Sequence, residues 1–240
     1  MKRQIPNLFT LCNLLSGCTG VVFAMRGNFE AVLITLMVSE FFDFFDGFAA
    51  RALGAYSAIG KELDSLADLV SFGLCPAVCL FSWYGIAQPG IPFLRWFPFV
   101  LTAASALRLA KFNIDTRQST SFLGLATSGC ALLLTPLAVY SFYTDGFLHS
   151  LMGTVWFIPV LAAVFSYLLV CELPMFSLKK MTGKLKAFIV GSIVLIIACV
   201  IREIHGPWYV TVSLCIFLIL SYYLVLNLAT LKSKEGGAQN

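Results

Sequence analysis

Apolar residues run in long, unbroken stretches along this chain, and the polar positions gather in short breaks between them. The runs do not alternate residue by residue, so they read as helices rather than as barrel strands. A helix that crosses a bilayer needs about 20 apolar residues. On that length the pattern predicts about eight transmembrane helices, near 5–24, 29–53, 60–87, 93–111, 122–143, 151–171, 187–202 and 207–230. Only Arg202, Glu203, His205 and Gly206 mark the turn between the last two. A six-helix core over about 1–175 with two added helices over about 187–230 therefore fits as well as one eight-helix unit. Either way residues 1–230 form a single domain, and 231–240 read as a polar, disordered tail. The first run follows Lys2 and Arg3 as a signal peptide would, but no small-residue cleavage site stands out, and it reads as a retained helix. No internal repeat supports an inverted-repeat transporter.

Composition agrees with the pattern. Hydrophobic residues make up 59% of the 240 and charged residues only 12%, with a mean hydropathy of +0.89. Soluble domains are typically about 45–50% apolar and about 25% charged. The expected fold is all-α, a polytopic membrane helix bundle, because helices satisfy their own backbone in lipid. A net charge of +4 with scattered basic residues excludes a nucleic-acid stripe. The eight cysteines lie almost entirely in apolar runs and read as small packing residues. Cys75 and Cys79 share a helix face, but no His or second Cys pair nearby completes a zinc set.

Charge also orients the bundle. With an even number of spans, thirteen of the 16 Lys and Arg fall on the side of the termini, and only Arg26, Arg95 and Arg202 on the other. The positive-inside rule then puts both termini in the cytoplasm. The second and third helices form a hairpin opening to that side.

That hairpin carries the chemistry. Asp43 and Asp46 lie three apart near the end of the second helix, and Asp64 and Asp68 four apart near the start of the third. Both spacings put side chains on one helix face. A carboxylate in a membrane helix is unfavourable by ~2.5–3.5 kcal/mol on insertion scales, so four together point to function. They cannot all stay ionised at close range without cations, and hard oxygen ligands suit Mg2+ or Mn2+. Two such ions can clamp a phosphoryl group. Gly47, Ala50 and Gly60 leave room for a bulky ligand, and Arg51, one turn past Gly47, offers a fork of donors to a phosphate. Packing of helices alone would also use glycine and alanine, and an aspartate pair alone would also suit an intramembrane cation carrier.

The pattern Asp43-x-x-Asp46-Gly47-x-x-Ala50-Arg51, then eight residues, then Gly60-x-x-x-Asp64-x-x-x-Asp68 resembles the full signature of the CDP-alcohol phosphotransferase family. That resemblance implies an integral membrane enzyme, a homodimer, that displaces CMP from CDP-diacylglycerol with an alcohol. By position, Asp43 and Asp64 are expected to touch two metal ions, Asp46 one of them and Asp68 the other. Asp68 is also expected to act as general base. Gly47, Ala50, Arg51, Ser57, Gly60, Asn7 and Thr10 are expected to contact the CDP-lipid.

Within that family the first 175 residues or so resemble the bacterial membrane-type phosphatidylserine synthases. The stretches concerned are Ile5-Pro6-Asn7-Leu8-Phe9-Thr10 with Asn13, Leu63 to Gly73, Leu107 to Asn113, and Phe122-Leu123-Gly124-Leu125. The Gly-Leu element departs from their pattern by continuing as Ala126-Thr127-Ser128 in place of prolines. L-serine is the acceptor this implies, with Arg108, Lys111 and Asn113 as its expected contacts. Arg108 and Lys111 would equally serve as membrane anchors, or as partners for glycerol phosphate, inositol phosphate or another acceptor of a sister enzyme.

Overall fold

A computed structural model describes residues 4–114, 122–175, 183–202 and 206–236. It is a helical membrane bundle, as the apolar runs predict. Helix α1 (Gln4–Met25) packs along α2 (Phe29–Leu53), and a chain of α3 (Ala58–Asp68), a π-helical stretch (Leu69–Leu74) and α4 (Cys75–Ala87) returns beside them. Then come a 3-10 turn (Leu94–Trp96), α5 (Phe99–Ile114), α6 (Thr127–Tyr143), α7 (Phe147–Met152), α8 (Phe157–Val170), α9 (Gly183–Arg202) and α10 (Trp208–Gly236). By length and composition Gln4–Met25, Ala58–Ala87 and Trp208–Leu226 are each able to cross a membrane. The α6 and α8 helices are shorter and apolar.

Several boundaries differ from those read off the hydrophobic runs. The fifth predicted helix, from 122, begins only at Thr127. Before it, Phe122–Leu123 (β1) pairs antiparallel with Pro174–Met175 (β2). Gly124, at φ +71°, makes the turn into α6, and its N–H donates to Leu173 O at 2.9 Å. The short α7 occupies part of the link before 151. The α10 helix runs to Gly236, so residues 231–236 are helical where a disordered tail was expected, and 237–240 lie outside the described residues. Lys2, Arg3, Arg117, Lys179 and Lys180, all counted in the charge asymmetry, also lie outside them.

Small residues draw α1 into the centre. A Cβ on Gly17 would lie 2.7 Å from Ser71 Cα, and one on Gly20 would lie 2.7 Å from Thr35 Oγ1 and 2.8 Å from Cys75 Sγ. Ser16 Oγ donates to Thr35 O at 2.8 Å, tying α1 to α2. The α2 and α6 helices run antiparallel: the Phe29 and Phe142 rings stand 4.5 Å apart at one end, while Leu36, Phe72 and Ala131 cluster further along. The main core lies between α4, α6 and α8, with Trp83, Tyr84, Leu134 and Ile158 buried in it.

Candidate functional site

Local signals build the hairpin that carries the carboxylates. Gly54 ends α2 in the left-handed region at φ +58°, which glycine adopts without a Cβ penalty. Ser57 then caps α3, its Oγ accepting from Gly60 N at 3.0 Å. The chain thus reverses within a few residues, and the last turns of α2 face the first turns of α3.

Oxygen atoms of Asp43, Asp64 and Asp68 all lie within 4.8 Å of one another. The Asp43 and Asp68 carboxyl groups touch. Asp64 Oδ1 is buried with no hydrogen-bond partner. Three acidic side chains this close, with an orphaned oxygen among them, repel unless a cation lies between them. An all-oxygen donor set of this kind suits a hard divalent ion, so the residues present fit a Mg2+ or Mn2+ site.

Asp46 sits apart from that trio. It is buried, and its Oδ2 accepts from Thr10 Oγ1 on α1 at 2.7 Å. Its charge still acts on Asp43 and Asp64, and that of Arg51 acts on it.

A cavity of about 540 Å³ opens beside the carboxylates. Of the residues expected at the CDP-lipid, Asn7, Thr10, Gly47, Ala50, Ser57 and Gly60 line it, together with Asp46 and Asp64. Arg51 folds back so that its Nη1 lies 3.4 Å from where a Gly47 Cβ would be. A Cβ on Gly60 would lie 2.9 Å from Ser57 Oγ and 3.0 Å from Asn7 Oδ1, so glycine there lets α1 and α3 approach.

The three residues expected at the acceptor are not gathered in the same way. Arg108 is half-buried, donates from Nη1 to Thr127 Oγ1 at 3.2 Å and acts electrostatically on Asp68. Asn113 instead braces α5 against α3: its Nδ2 donates to Ser65 Oγ at 3.0 Å and Glu62 Oε2 at 3.2 Å, and its carbonyl accepts from Lys61 Nζ at 2.7 Å. Lys111 is exposed.

Two residues emerge that no motif spacing singles out for a role. Asn13, fully buried on α1, donates from Nδ2 to Asp68 Oδ1 at 3.1 Å. Its carbonyl accepts from Ser71 Oγ at 2.9 Å, within the π-helical stretch that follows Asp68. Glu40, one turn before Asp43, keeps a buried Oε1 without a partner. A lone acidic residue inside an apolar run is the one signal that marks Glu40 in the sequence.

The chain is similar to known proteins over a stretch that includes this site. A sequence model described as CDP-alcohol phosphatidyltransferase matches residues 3–169, which include the hairpin. A CDP-diacylglycerol–serine O-phosphatidyltransferase of Bacillus subtilis is 33% identical over 137 residues, covering 57% of this chain and 76% of that protein. One from Mycobacterium leprae is 31% identical over 180 residues, 71% of this chain and 57% of its own length. An archaetidylserine synthase of Methanothermobacter thermautotrophicus is 28% identical over 145 residues, 59% of this chain and 60% of its own. The chain thus spans less than two thirds of the latter two relatives' length.

Proposed function

The chain belongs to the CDP-alcohol phosphatidyltransferase family, and on that premise we propose that it is a phosphatidylserine synthase. It transfers the phosphatidyl group of CDP-diacylglycerol to the hydroxyl of L-serine and releases CMP. One observation carries the reading: the Asp43–Asp64–Asp68 trio shares Asp64 with a glycine-lined cavity large enough for a nucleoside diphosphate. The serine acceptor draws its support from the names of the similar proteins.

Asp43, Asp64 and Asp68, with Asp46 beside them, would hold two divalent ions, Mg2+ or Mn2+, which when bound would neutralise the diphosphate and the charge that develops as CMP departs. The chain itself binds, orients and takes a proton. Asn7, Ser57 and the floor at Gly47, Ala50 and Gly60 seat the CDP moiety. Arg51 reaches a phosphate oxygen from beside Gly47. Asp68, oriented by the Asn13 amide, accepts the serine hydroxyl proton. The serine oxygen forms its bond to the β-phosphorus as the bond from that phosphorus to the CMP oxygen breaks. Positioning and electrostatics dominate in such a transfer.

The enzyme works as a homodimer in the bacterial inner membrane, with both termini and the site toward the cytoplasm. There serine and the nucleotide arrive from water, and the acyl chains arrive from the inner leaflet. The charge asymmetry of the loops supports that orientation. Purified protein assayed for CMP release with a panel of acceptors tests the reading. Release with glycerol 3-phosphate and none with serine contradicts it.

A further inference from the structure

Tyr56 is the one aromatic side chain among the described residues that line the cavity beside the carboxylates. It falls within the eight residues that the aspartate motif leaves unspecified between Arg51 and Gly60, so no motif gives it a role. The loop that carries it is held on both sides. Ala55 is buried, and its N–H donates to Ala50 O at 2.9 Å. Ser57 caps α3, and its carbonyl accepts from Lys61 N at 3.2 Å. Between these fixed neighbours Tyr56 stays 70% exposed. An aromatic ring left so open at a cavity wall is a ready surface for another ring.

The place of Tyr56 along the cavity suits a base rather than a phosphate. The acidic end of the cavity is at Asp46 and Asp64, and Asp64 belongs to the carboxylate trio. Asp64 lies six residues past Ala58, where α3 begins, a distance of about 9 Å along the axis. Tyr56 precedes Ala58, so it stands at the far end. A nucleoside diphosphate with its diphosphate at Asp64 reaches across a span of that order through its ribose, and its base then arrives beside Tyr56. Two polar groups stand nearby: a Cβ on Gly60 would meet both Ser57 Oγ and Asn7 Oδ1.

We propose that Tyr56 is the base platform of the CDP site: its ring stacks on the face of the cytosine, and the Asn7 amide and Ser57 hydroxyl are left to bond the edges of the base and ribose. The inference rests on the reading of the cavity as the CDP site and adds what holds the base; it does not depend on the acceptor. Stacking supplies affinity rather than base identity, because every base has a π-face. A tyrosine near a membrane surface also serves as an interfacial anchor. An anchor meets lipid and leaves the binding of a water-soluble nucleotide unchanged, which separates the two roles by experiment.

The test is calorimetric titration of CMP into the purified full chain in detergent with Mg2+, for the unmodified protein and for Tyr56→Ala, Tyr56→Leu and Tyr56→Phe. CMP carries the base, ribose and one phosphate but no acyl chain. Tyr56→Ala raises the Kd for CMP about tenfold, within the range that base–aromatic stacking gives on alanine substitution. The KM for CDP-diacylglycerol rises with it, and the serine KM stays within about threefold. Tyr56→Leu, which keeps an apolar group for lipid but no ring, loses as much as Tyr56→Ala. Tyr56→Phe, which keeps the ring, stays within about threefold of the unmodified protein. An unchanged Kd for CMP in Tyr56→Ala or Tyr56→Leu, or a loss in Tyr56→Phe equal to that in Tyr56→Ala, overturns the proposal. If Tyr56→Ala does not fold, Tyr56→Leu and Tyr56→Phe decide it by the same readout. Failure of the wider reading looks different. A chain that binds CMP but transfers to an acceptor other than serine contradicts the serine reading alone and still shows the ring effect, whereas an unmodified chain that binds no CMP overturns both.

Discussion

The side-chain amide of Asn13 on α1 donates to Asp68 Oδ1 on α3 at 3.1 Å, across 55 residues of sequence. Asp68 is thereby fixed from the helix opposite its own hairpin, while its other side meets Asp43. Removing that donor leaves the position of the carboxylate set by repulsion from its neighbours. Asn13→Ala is expected to lower kcat by about ten- to a hundredfold, the range of a lost hydrogen bond to a charged group. The KM for CDP-diacylglycerol stays near its starting value. Kinetics with both substrates varied check this, and an unchanged kcat would show that Asp68 needs no orientation from α1.

Metal dependence follows from the trio. Chelation with EDTA is expected to abolish CMP release, and adding back Mg2+ or Mn2+ to restore it. Asp43→Asn and Asp64→Asn each remove a charged ligand from a crowded oxygen set and shift the metal concentration for half-maximal activity upward by about tenfold or more. Titration of activity against metal reads this directly, and full activity in EDTA would contradict a metal site.

Two glycines separate substrate binding from folding. Gly60→Ala places a Cβ 2.9 Å from Ser57 Oγ and 3.0 Å from Asn7 Oδ1, at the cavity wall. The KM for CDP-diacylglycerol is expected to rise about tenfold, as the displaced polar contacts of two lining side chains imply, with the serine KM unchanged. Gly54→Ala meets nothing within 4 Å but must hold φ +58°. It is expected to destabilise by about 1–2 kcal/mol, the penalty of a left-handed backbone for an L-residue, and to keep both KM values. Thermal unfolding in detergent alongside kinetics distinguishes the pair.

Gly17→Ala probes the seat of the π-helical stretch. The new Cβ would lie 2.7 Å from Ser71 Cα, a backbone atom that cannot rotate away. Overpacking of this kind is unfavourable by about 1–3 kcal/mol. The expected result is a lower melting temperature together with lost activity, because Ser71 follows Asp68 closely in the chain and bonds the carbonyl of Asn13.

The hairpin was legible in the sequence because its signals are local. Aspartates in an apolar context, small residues beside them, and spacings of three and four each state their meaning within a few residues. What was not legible depends on partners distant in sequence. Asn13 acquires its role only when α1 lies against α3. The π-helical turn at Leu69–Leu74 has no residue signature that separates it from α-helix. Arg108 and Lys111 look alike as basic residues near a helix end, yet one is half-buried beside Thr127 and the other is exposed. Asn113, grouped with them by proximity in the chain, is turned instead toward Glu62 and Ser65. The polar residues past 230 carry no apolar pattern that would mark a helix, yet α10 continues through Lys232 and Lys234 to Gly236.

The most direct test of the central claim is CMP release by the purified protein with CDP-diacylglycerol and L-serine, in the presence of Mg2+ or Mn2+, for the unmodified chain and for Asp68→Asn. CMP and phosphatidylserine are expected in equal amounts from the unmodified protein. From Asp68→Asn the expected rate is lower by about a hundredfold or more, as for loss of a general base. CMP release that does not depend on serine, or near-normal turnover by Asp68→Asn, would contradict it.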